Sequence, residues 1–209
     1  MINVLLITFT ITLLYMSIAK RLLTYINILA FQGFILFGIA FIQLIDINIF
    51  NLIFILLETI IFKSIAIPWF LKYIIKKNKL TREAEPYIPN FFSLIIVTAI
   101  IVLTILLSNY EAFKLINKTY FIVALSTLFS GLYIIVSRRK IITHILGYLV
   151  IENGVFILSL AVGSEMPMLV NLGILLDFFV CVLVLGIFVN KIGDVFKEPE
   201  VEKLNQLRD

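Results

Sequence analysis

The chain has 209 residues, of which 62% are hydrophobic and 14% are charged. Soluble domains are about half apolar and about a quarter charged, so this composition excludes an ordinary soluble domain. The net charge of +4 does not indicate nucleic acid, because the basic residues stand in short segments between apolar runs. One cysteine and one histidine cannot supply a zinc, haem or iron–sulfur ligand set, so we expect this chain to bind no metal or cofactor.

Seven apolar runs are long enough to cross a membrane as helices. A hydrocarbon core of about 30 Å needs ~20 helical residues, and every backbone polar group inside it must be bonded within the segment. The sequence therefore predicts an all-α, multi-pass bundle of seven transmembrane helices embedded in the lipid bilayer. The predicted spans are 3–19, 23–45, 49–75, 91–108, 119–137, 141–163 and 168–190.

The positions of the basic residues indicate the orientation. The segments after the odd-numbered spans and the C-terminal tail carry 14 Lys and Arg residues, whereas the opposite segments carry only Lys114 and Lys118. Basic residues are retained on the cytoplasmic side of a membrane. We therefore expect the cytoplasmic (inner) membrane, with the N-terminus outside and the C-terminus in the cytoplasm. The 14 residues are Lys20, Arg21, Lys72, Lys76, Lys77, Lys79, Arg82, Arg138, Arg139, Lys140, Lys191, Lys197, Lys203 and Arg208.

One three-helix unit is predicted on each side of a polar segment. Lys20 precedes Glu58 by the same interval as Arg139 precedes Asp177, which favours parallel internal repeats of the kind found in transport folds. The bilayer alone could also fix this spacing, and both explanations stay open. The predicted parts are a first unit at residues 1–75, a cytoplasmic basic loop with a connecting helix at 76–118, a second unit at 119–193 and a cytoplasmic tail at 194–209.

Four ionisable residues lie near the centres of predicted spans: Glu58, Lys63, Glu152 and Asp177. Each costs roughly 3 kcal/mol at a helix centre, so such residues face the bundle interior or water and usually belong to proton or ion paths. Glu152 and Asp177 reach the same depth on antiparallel neighbouring spans. We expect both to be proton-path residues, the alternative being carboxyl groups that are hydrogen-bonded for helix packing.

A route to Glu152 is predicted along its own helix. His144, Tyr148 and Glu152 are four residues apart in turn and so share one face. An imidazole near the cytoplasmic boundary can exchange protons close to neutral pH. The alternative is an interfacial histidine and a tyrosine of the interfacial aromatic belt.

The third span carries two of the four charges. Glu58 and Lys63 are five residues apart, roughly 140° around an α-helix, and so are expected to face different neighbours. Pro68 lacks the N–H that would reach the Ser64 carbonyl, which predicts a kink. Lys63 is expected either to gate the path electrostatically or to form an interhelical ion pair with Glu152 or Asp177. Close helix contacts are expected at five glycines of the spans, Gly33, Gly38, Gly147, Gly154 and Gly173.

The last third of the chain carries a family resemblance. The run from Ser130 through Arg138-Arg-Lys to Tyr148-Leu-Val-Ile-Glu-Asn-Gly-Val-Phe resembles the K subunit of bacterial respiratory complex I, with a central Glu in one helix and an acidic residue in the next. Asp177 matches the second position, although that family has Glu there. The C subunit of Mrp-type antiporters is similar over this half.

Over nearly its whole length the chain resembles hydrogenase-4 component E, the K-like membrane subunit of energy-converting [NiFe] hydrogenases. The resemblance lies in the runs that end at Phe156 and Asp177, and in Lys63 ahead of the Ile-Pro-Trp run that ends at Trp69. It implies a non-catalytic subunit between antiporter-like and quinone-site-like membrane subunits, with Glu152 and Asp177 in a lateral proton path. The nickel–iron and iron–sulfur centres would belong to other chains.

One alternative function is a subunit of a multi-chain cation/proton antiporter that has no redox partner. A stand-alone seven-helix receptor or retinal protein fits the topology but not the seventh span, whose polar centre is Asp177 and not a lysine.

Overall fold

The structure is a computed structural model that describes residues 1–43, 53, 57–77, 87–109 and 117–162. Every regular element in this part of the chain is a helix, as the sequence predicts. The elements are α1 (Ile2–Ile18), α2 (Leu22–Gln43), a π-helical segment (Glu58–Ala66), α3 (Ile67–Lys77), α4 (Asn90–Leu107), α5 (Lys118–Ser137) and α6 (Ile141–Val162).

Four of the described helices, α2, α4, α5 and α6, are long and apolar enough to cross a membrane. Helix α1 is equally apolar but slightly shorter, with 17 residues. A multi-pass helical membrane protein is therefore confirmed for the described part of the chain. The seventh span, 168–190, and the tail, 194–209, lie outside the described residues. The total of seven spans, the orientation and the unit boundaries stay predictions.

The helices pack through faces that repeat every three or four residues. On α1 the side chains of Leu6, Phe9, Leu13 and Met16 are fully or almost fully buried, at spacings that keep them on one side of the helix. Helix α1 contacts α2, α4 and α5, while α2 also contacts the π-helical segment, α3 and α6. The most extensive contact joins the antiparallel neighbours α5 and α6.

Helices α5 and α6 approach so closely that glycine is required. A Cβ atom on Gly131 would lie 2.8 Å from the Gly147 carbonyl oxygen, and one on Gly147 would lie 2.9 Å from the Gly131 carbonyl oxygen. A Cβ on Gly154 would come within 3.0 Å of the Leu128 nitrogen. The predicted close contacts at Gly147 and Gly154 are confirmed, whereas Gly131 is an additional one.

The remaining predicted glycine contacts differ in outcome from one position to the next. At Gly33 a Cβ would lie 2.9 Å from the Ser64 nitrogen, so α2 touches the backbone of the π-helical segment there. At Gly38 it would meet only a Leu5 side chain at 3.4 Å, an ordinary contact, so the prediction of a close approach is wrong at that position. Gly173 lies outside the described residues.

The third span departs from α geometry ahead of its proline. The π-helical segment ends at Ala66, and Pro68 is the second residue of α3. Pro68 has no N–H to donate and its ring crowds the carbonyl four residues earlier, so the preceding turns are wider than an α-helix. In a π-helix residues five apart are hydrogen-bonded partners on successive turns. The predicted separation of 140° between Glu58 and Lys63 is therefore wrong, because it assumed α geometry.

The basic turn between α5 and α6 lies at one end of the bundle, against α1 and α2. The buried Arg138 donates from Nη2 to the Ser17 carbonyl at the end of α1 (2.9 Å) and lies over the Tyr25 ring. The exposed Arg139 lies over the ring of Tyr87. The C-terminal ends of α1 and α5 thus meet the N-terminal end of α2 there. This is the end that the sequence predicts to be cytoplasmic.

Candidate functional site

The described part of the chain buries one ion pair deep between helices. The Lys63 Nζ lies 2.7 Å from Glu152 Oε1, and the two side chains are only 6% and 7% exposed. Lys63 also lies 4.8 Å from the centre of the Phe156 ring, one turn beyond Glu152 on α6. Of the partners that the sequence left open for Lys63, the structure shows Glu152.

The pair stands at mid-depth because of where each residue lies in its helix. Glu152 is about 16 Å along α6 from Ile141 at 1.5 Å per residue. Lys63 is brought to the same depth by the π-helical segment, which packs against α2 at Gly33. The Ser64 hydroxyl fixes this contact by donating to the Ala30 carbonyl at 3.1 Å. A larger residue at Gly33 would push Lys63 away from α2.

A series of hydrogen-bonded neutral polar side chains begins beside the ion pair and crosses three helices. Asn153, next to Glu152, donates from Nδ2 to Gln32 Oε1 at 3.1 Å. Gln32 donates from Nε2 to the Thr12 hydroxyl oxygen at 2.8 Å, and that hydroxyl donates to the Phe9 carbonyl at 2.6 Å. All three side chains are buried, and buried polar groups are retained where they are hydrogen-bonded. These hydrogen bonds fix how α6 is rotated relative to α2 and α1.

A small, half-open cavity adjoins the ion pair. The space open to the centre of a water molecule is about 10 Å³, close to the least that holds one water. Three apolar and three polar residues line it: Leu29, Ile67, Leu149, Lys63, Glu152 and Asn153.

The three residues of the predicted route along α6 lie in different surroundings. The His144 ring nitrogen Nε2 lies 3.0 Å from the Arg138 carbonyl oxygen, where it closes the turn between α5 and α6. Tyr148 is 38% exposed, whereas Glu152 is buried. The structure therefore gives His144 a local partner in the turn, and the relay from His144 through Tyr148 to Glu152 stays a prediction.

Two predicted site residues are not placed at the ion pair by the structure. The backbone of Glu58 begins the π-helical segment, but its side chain is outside the described part. Asp177 lies outside the described residues altogether, so its expected depth beside Glu152 stays a prediction. No group of His, Cys, Asp and Glu suited to a metal ion occurs within the described ranges.

The sequence did not single out two residues of the site, Asn153 and Gln32, or Arg138 at the basic end of the bundle. Asn153 and Gln32 are amides in the middle of apolar helices, a signal that the sequence does contain. Arg138 gives no such signal, because the sequence does not distinguish it from Arg139. Only the packing of α1 and α2 against the turn shows that one arginine is buried and the other exposed.

Comparisons with known proteins find relatives of two kinds. One is the uncharacterized protein Rv0085 of Mycobacterium tuberculosis, 26% identical over 190 residues that cover 88% of this chain and 85% of the relative. Hydrogenase-4 component E of Escherichia coli is 34% identical over 86 residues, 41% of this chain and 40% of the relative, and the Shigella flexneri protein gives the same values. No family model matches the chain, and no solved structure matches it significantly. The chain is therefore a helical membrane protein with partial similarity to a hydrogenase component.

Proposed function

We propose that this chain is a non-catalytic membrane subunit of a hydrogenase-like redox complex, and that the Lys63–Glu152 pair belongs to its lateral proton path. The observation that carries this proposal is a 2.7 Å ion pair whose two side chains are more than nine-tenths buried among apolar helices. Ionisable residues at such a depth are costly and mark proton or ion pathways in membrane proteins. The partial similarity to hydrogenase-4 component E supports the kind of complex.

The geometry suits proton transfer. At 2.7 Å the ammonium and the carboxylate share a hydrogen bond, so a proton can pass from Lys63 to Glu152 with little movement of heavy atoms. The charged pair then becomes an amine and a carboxylic acid. The relative energy of the two arrangements depends on the charges around the pair. A charge that arrives on a neighbouring subunit can therefore shift the proton between them.

We extend the same path to the other predicted residues. Glu58 and Asp177 would be neighbouring stations at similar depth, and His144 with Tyr148 would form an entry from the cytoplasmic end. The partners would be antiporter-like and quinone-site-like membrane subunits, and through them peripheral subunits that hold the nickel–iron and iron–sulfur centres. The complex would stand in the cytoplasmic membrane.

Membership in such a complex is tested by native mass spectrometry of affinity-purified complex from the natural host. We expect the chain to co-purify with antiporter-like membrane subunits and with peripheral iron–sulfur subunits. A stable assembly that contains antiporter-like subunits and lacks every iron–sulfur subunit would contradict the proposal and favour the antiporter alternative. Lys63→Met and Glu152→Gln variants should assemble as the wild type does, because the pair faces the interior of this chain.

A further inference from the structure

We propose that the cavity beside the Lys63–Glu152 pair binds a single water molecule, and that Gln32 and Thr12 are positioning residues that hold Asn153 as one of its hydrogen-bond acceptors. The role of this water rests on the proposed function, but its existence does not.

The polar chain has a direction that is set at the Phe9 carbonyl. The Thr12 hydroxyl donates its one proton to that carbonyl, so it can only accept from Gln32. Gln32 therefore turns Nε2 to Thr12 and Oε1 to Asn153. Because Oε1 is only an acceptor, Asn153 must present Nδ2 to it. Each amide is thus fixed in one of its two orientations.

This order leaves the Asn153 Oδ1 as the remaining atom of its amide. Asn153 lines the cavity together with Lys63 and Glu152. We place Oδ1 on the cavity side, because Nδ2 is engaged with Gln32 on the side of α2. The cavity then has one donor, the Lys63 ammonium, and two acceptors, the Glu152 carboxylate and Asn153 Oδ1.

These three groups match the hydrogen-bonding capacity of one water. Buried waters typically make about three hydrogen bonds and need polar partners in a space of roughly 10–15 Å³. A water here accepts from Lys63 and donates its two hydrogens to Glu152 and Asn153. If the Asn153 amide were reversed, two donors would face the water and one of its hydrogens would have no acceptor. The fixed direction of the hydrogen bonds between Asn153, Gln32, Thr12 and Phe9 therefore favours water binding.

The water gives the ion pair a second route for a proton. An N–H bond of Lys63 breaks as an O–H bond to the water forms, and another O–H bond of the same water breaks as Glu152 takes up that hydrogen. Ammonium and carboxylate become amine and carboxylic acid, and the water is regenerated.

Infrared difference spectroscopy on the full chain in lipid nanodiscs tests the site without any redox partner. Spectra between two pH values are recorded in ordinary water and in water labelled with oxygen-18. We expect a band of strongly hydrogen-bonded water that shifts with the label and that disappears in Glu152→Gln. The band should fall several-fold in Thr12→Val, which removes the hydroxyl at nearly constant shape.

Matched variants separate positioning from a general effect on folding. Thr12→Ser keeps the hydroxyl and should restore the band, and a cooperative thermal unfolding transition in each variant shows that the protein is still folded. Gln32→Leu should weaken the band several-fold, as Thr12→Val does. The inference is overturned if no labelled band depends on Glu152, or if Thr12→Val keeps the wild-type band. A band that behaves as expected while proton pumping survives Glu152→Gln would refute the proposed function and leave the water site standing.

Discussion

At the scale of single residues, the buried charges are tolerated only as a pair. Removing one partner of a buried ion pair leaves an uncompensated charge and costs about 3–5 kcal/mol, whereas replacing both by apolar groups is often neutral or stabilising. Within the described part of the chain, Lys63 faces Glu152 at 2.7 Å and the ring of Phe156 at 4.8 Å. The pair is therefore a poor device for stability, which agrees with a role in moving charge.

We predict that Lys63→Met and Glu152→Met each destabilise the protein by about 3–5 kcal/mol, because each leaves a buried charge without its partner. The double variant should be closer to the wild type than either single variant. Reversible unfolding in mixed micelles, followed by circular dichroism, gives the free energies for the double-mutant cycle. Additive effects of the two substitutions would show that the side chains do not interact.

The sequence was sufficient to select the charged residues but not to pair them. Lys63 and Glu152 stand out as ionisable residues in apolar spans, and an ion pair between them was one of the expected possibilities. Which partner Lys63 contacts depends on the π-helical geometry before Pro68 and on the close contact at Gly33. Both are consequences of tertiary packing. Gln32 and Asn153 were visible as polar residues, but their directed hydrogen bonds depend on the rotation of three helices about their axes.

At the scale of the helices, glycine positions determine how close the backbones come. In lipid there is no hydrophobic drive between helices, so small residues that permit close packing stabilise their association. Gly131 and Gly147 face each other across α5 and α6 at distances that leave no room for a Cβ. Gly38 has ordinary space around it. Spacing along the chain identifies candidates of this kind but does not distinguish a required glycine from a replaceable one.

We predict that Gly147→Ala destabilises the protein by about 1–3 kcal/mol, because the added methyl group meets the Gly131 carbonyl and the packed side chain of Ile135. Gly38→Ala is the matched control and should be neutral or stabilising by up to about 1 kcal/mol, since alanine is the better helix former. Unfolding in mixed micelles measures both variants. Equal effects at the two positions would contradict the close contact of α5 and α6.

At the scale of the whole molecule, large apolar residues lie on the outside of the described bundle, while several polar side chains are buried within it. Helix α4 lies at the edge of the described bundle and exposes bulky residues such as Phe91, Val102 and Leu106. It is tied to α5 by two interhelical hydrogen bonds, from Tyr133 to Ser93 and between Thr104 and Ser126. Such a surface suits lipid and neighbouring membrane subunits, and the basic end suits the cytoplasmic side.

We predict the orientation from this distribution of charge. In a Cys181→Ser background, Arg139→Cys should be labelled by a membrane-impermeant maleimide only in inverted vesicles, and Asn109→Cys only in intact cells. Both residues are exposed at opposite ends of the bundle. Thr98→Cys, on the exposed apolar face of α4, should resist the reagent from either side. Labelling of Arg139→Cys in intact cells would reverse the assigned orientation.

The ratio of protons pumped to electrons transferred tests the central claim most directly. It is measured in inverted vesicles that contain the intact complex, with the native electron donor. We predict that Glu152→Gln keeps electron transfer to an artificial acceptor but loses most of its proton pumping, while Lys20→Gln, an exposed lysine at the basic end, keeps both. A wild-type ratio in Glu152→Gln would contradict the account, because protons would then cross without this carboxyl group.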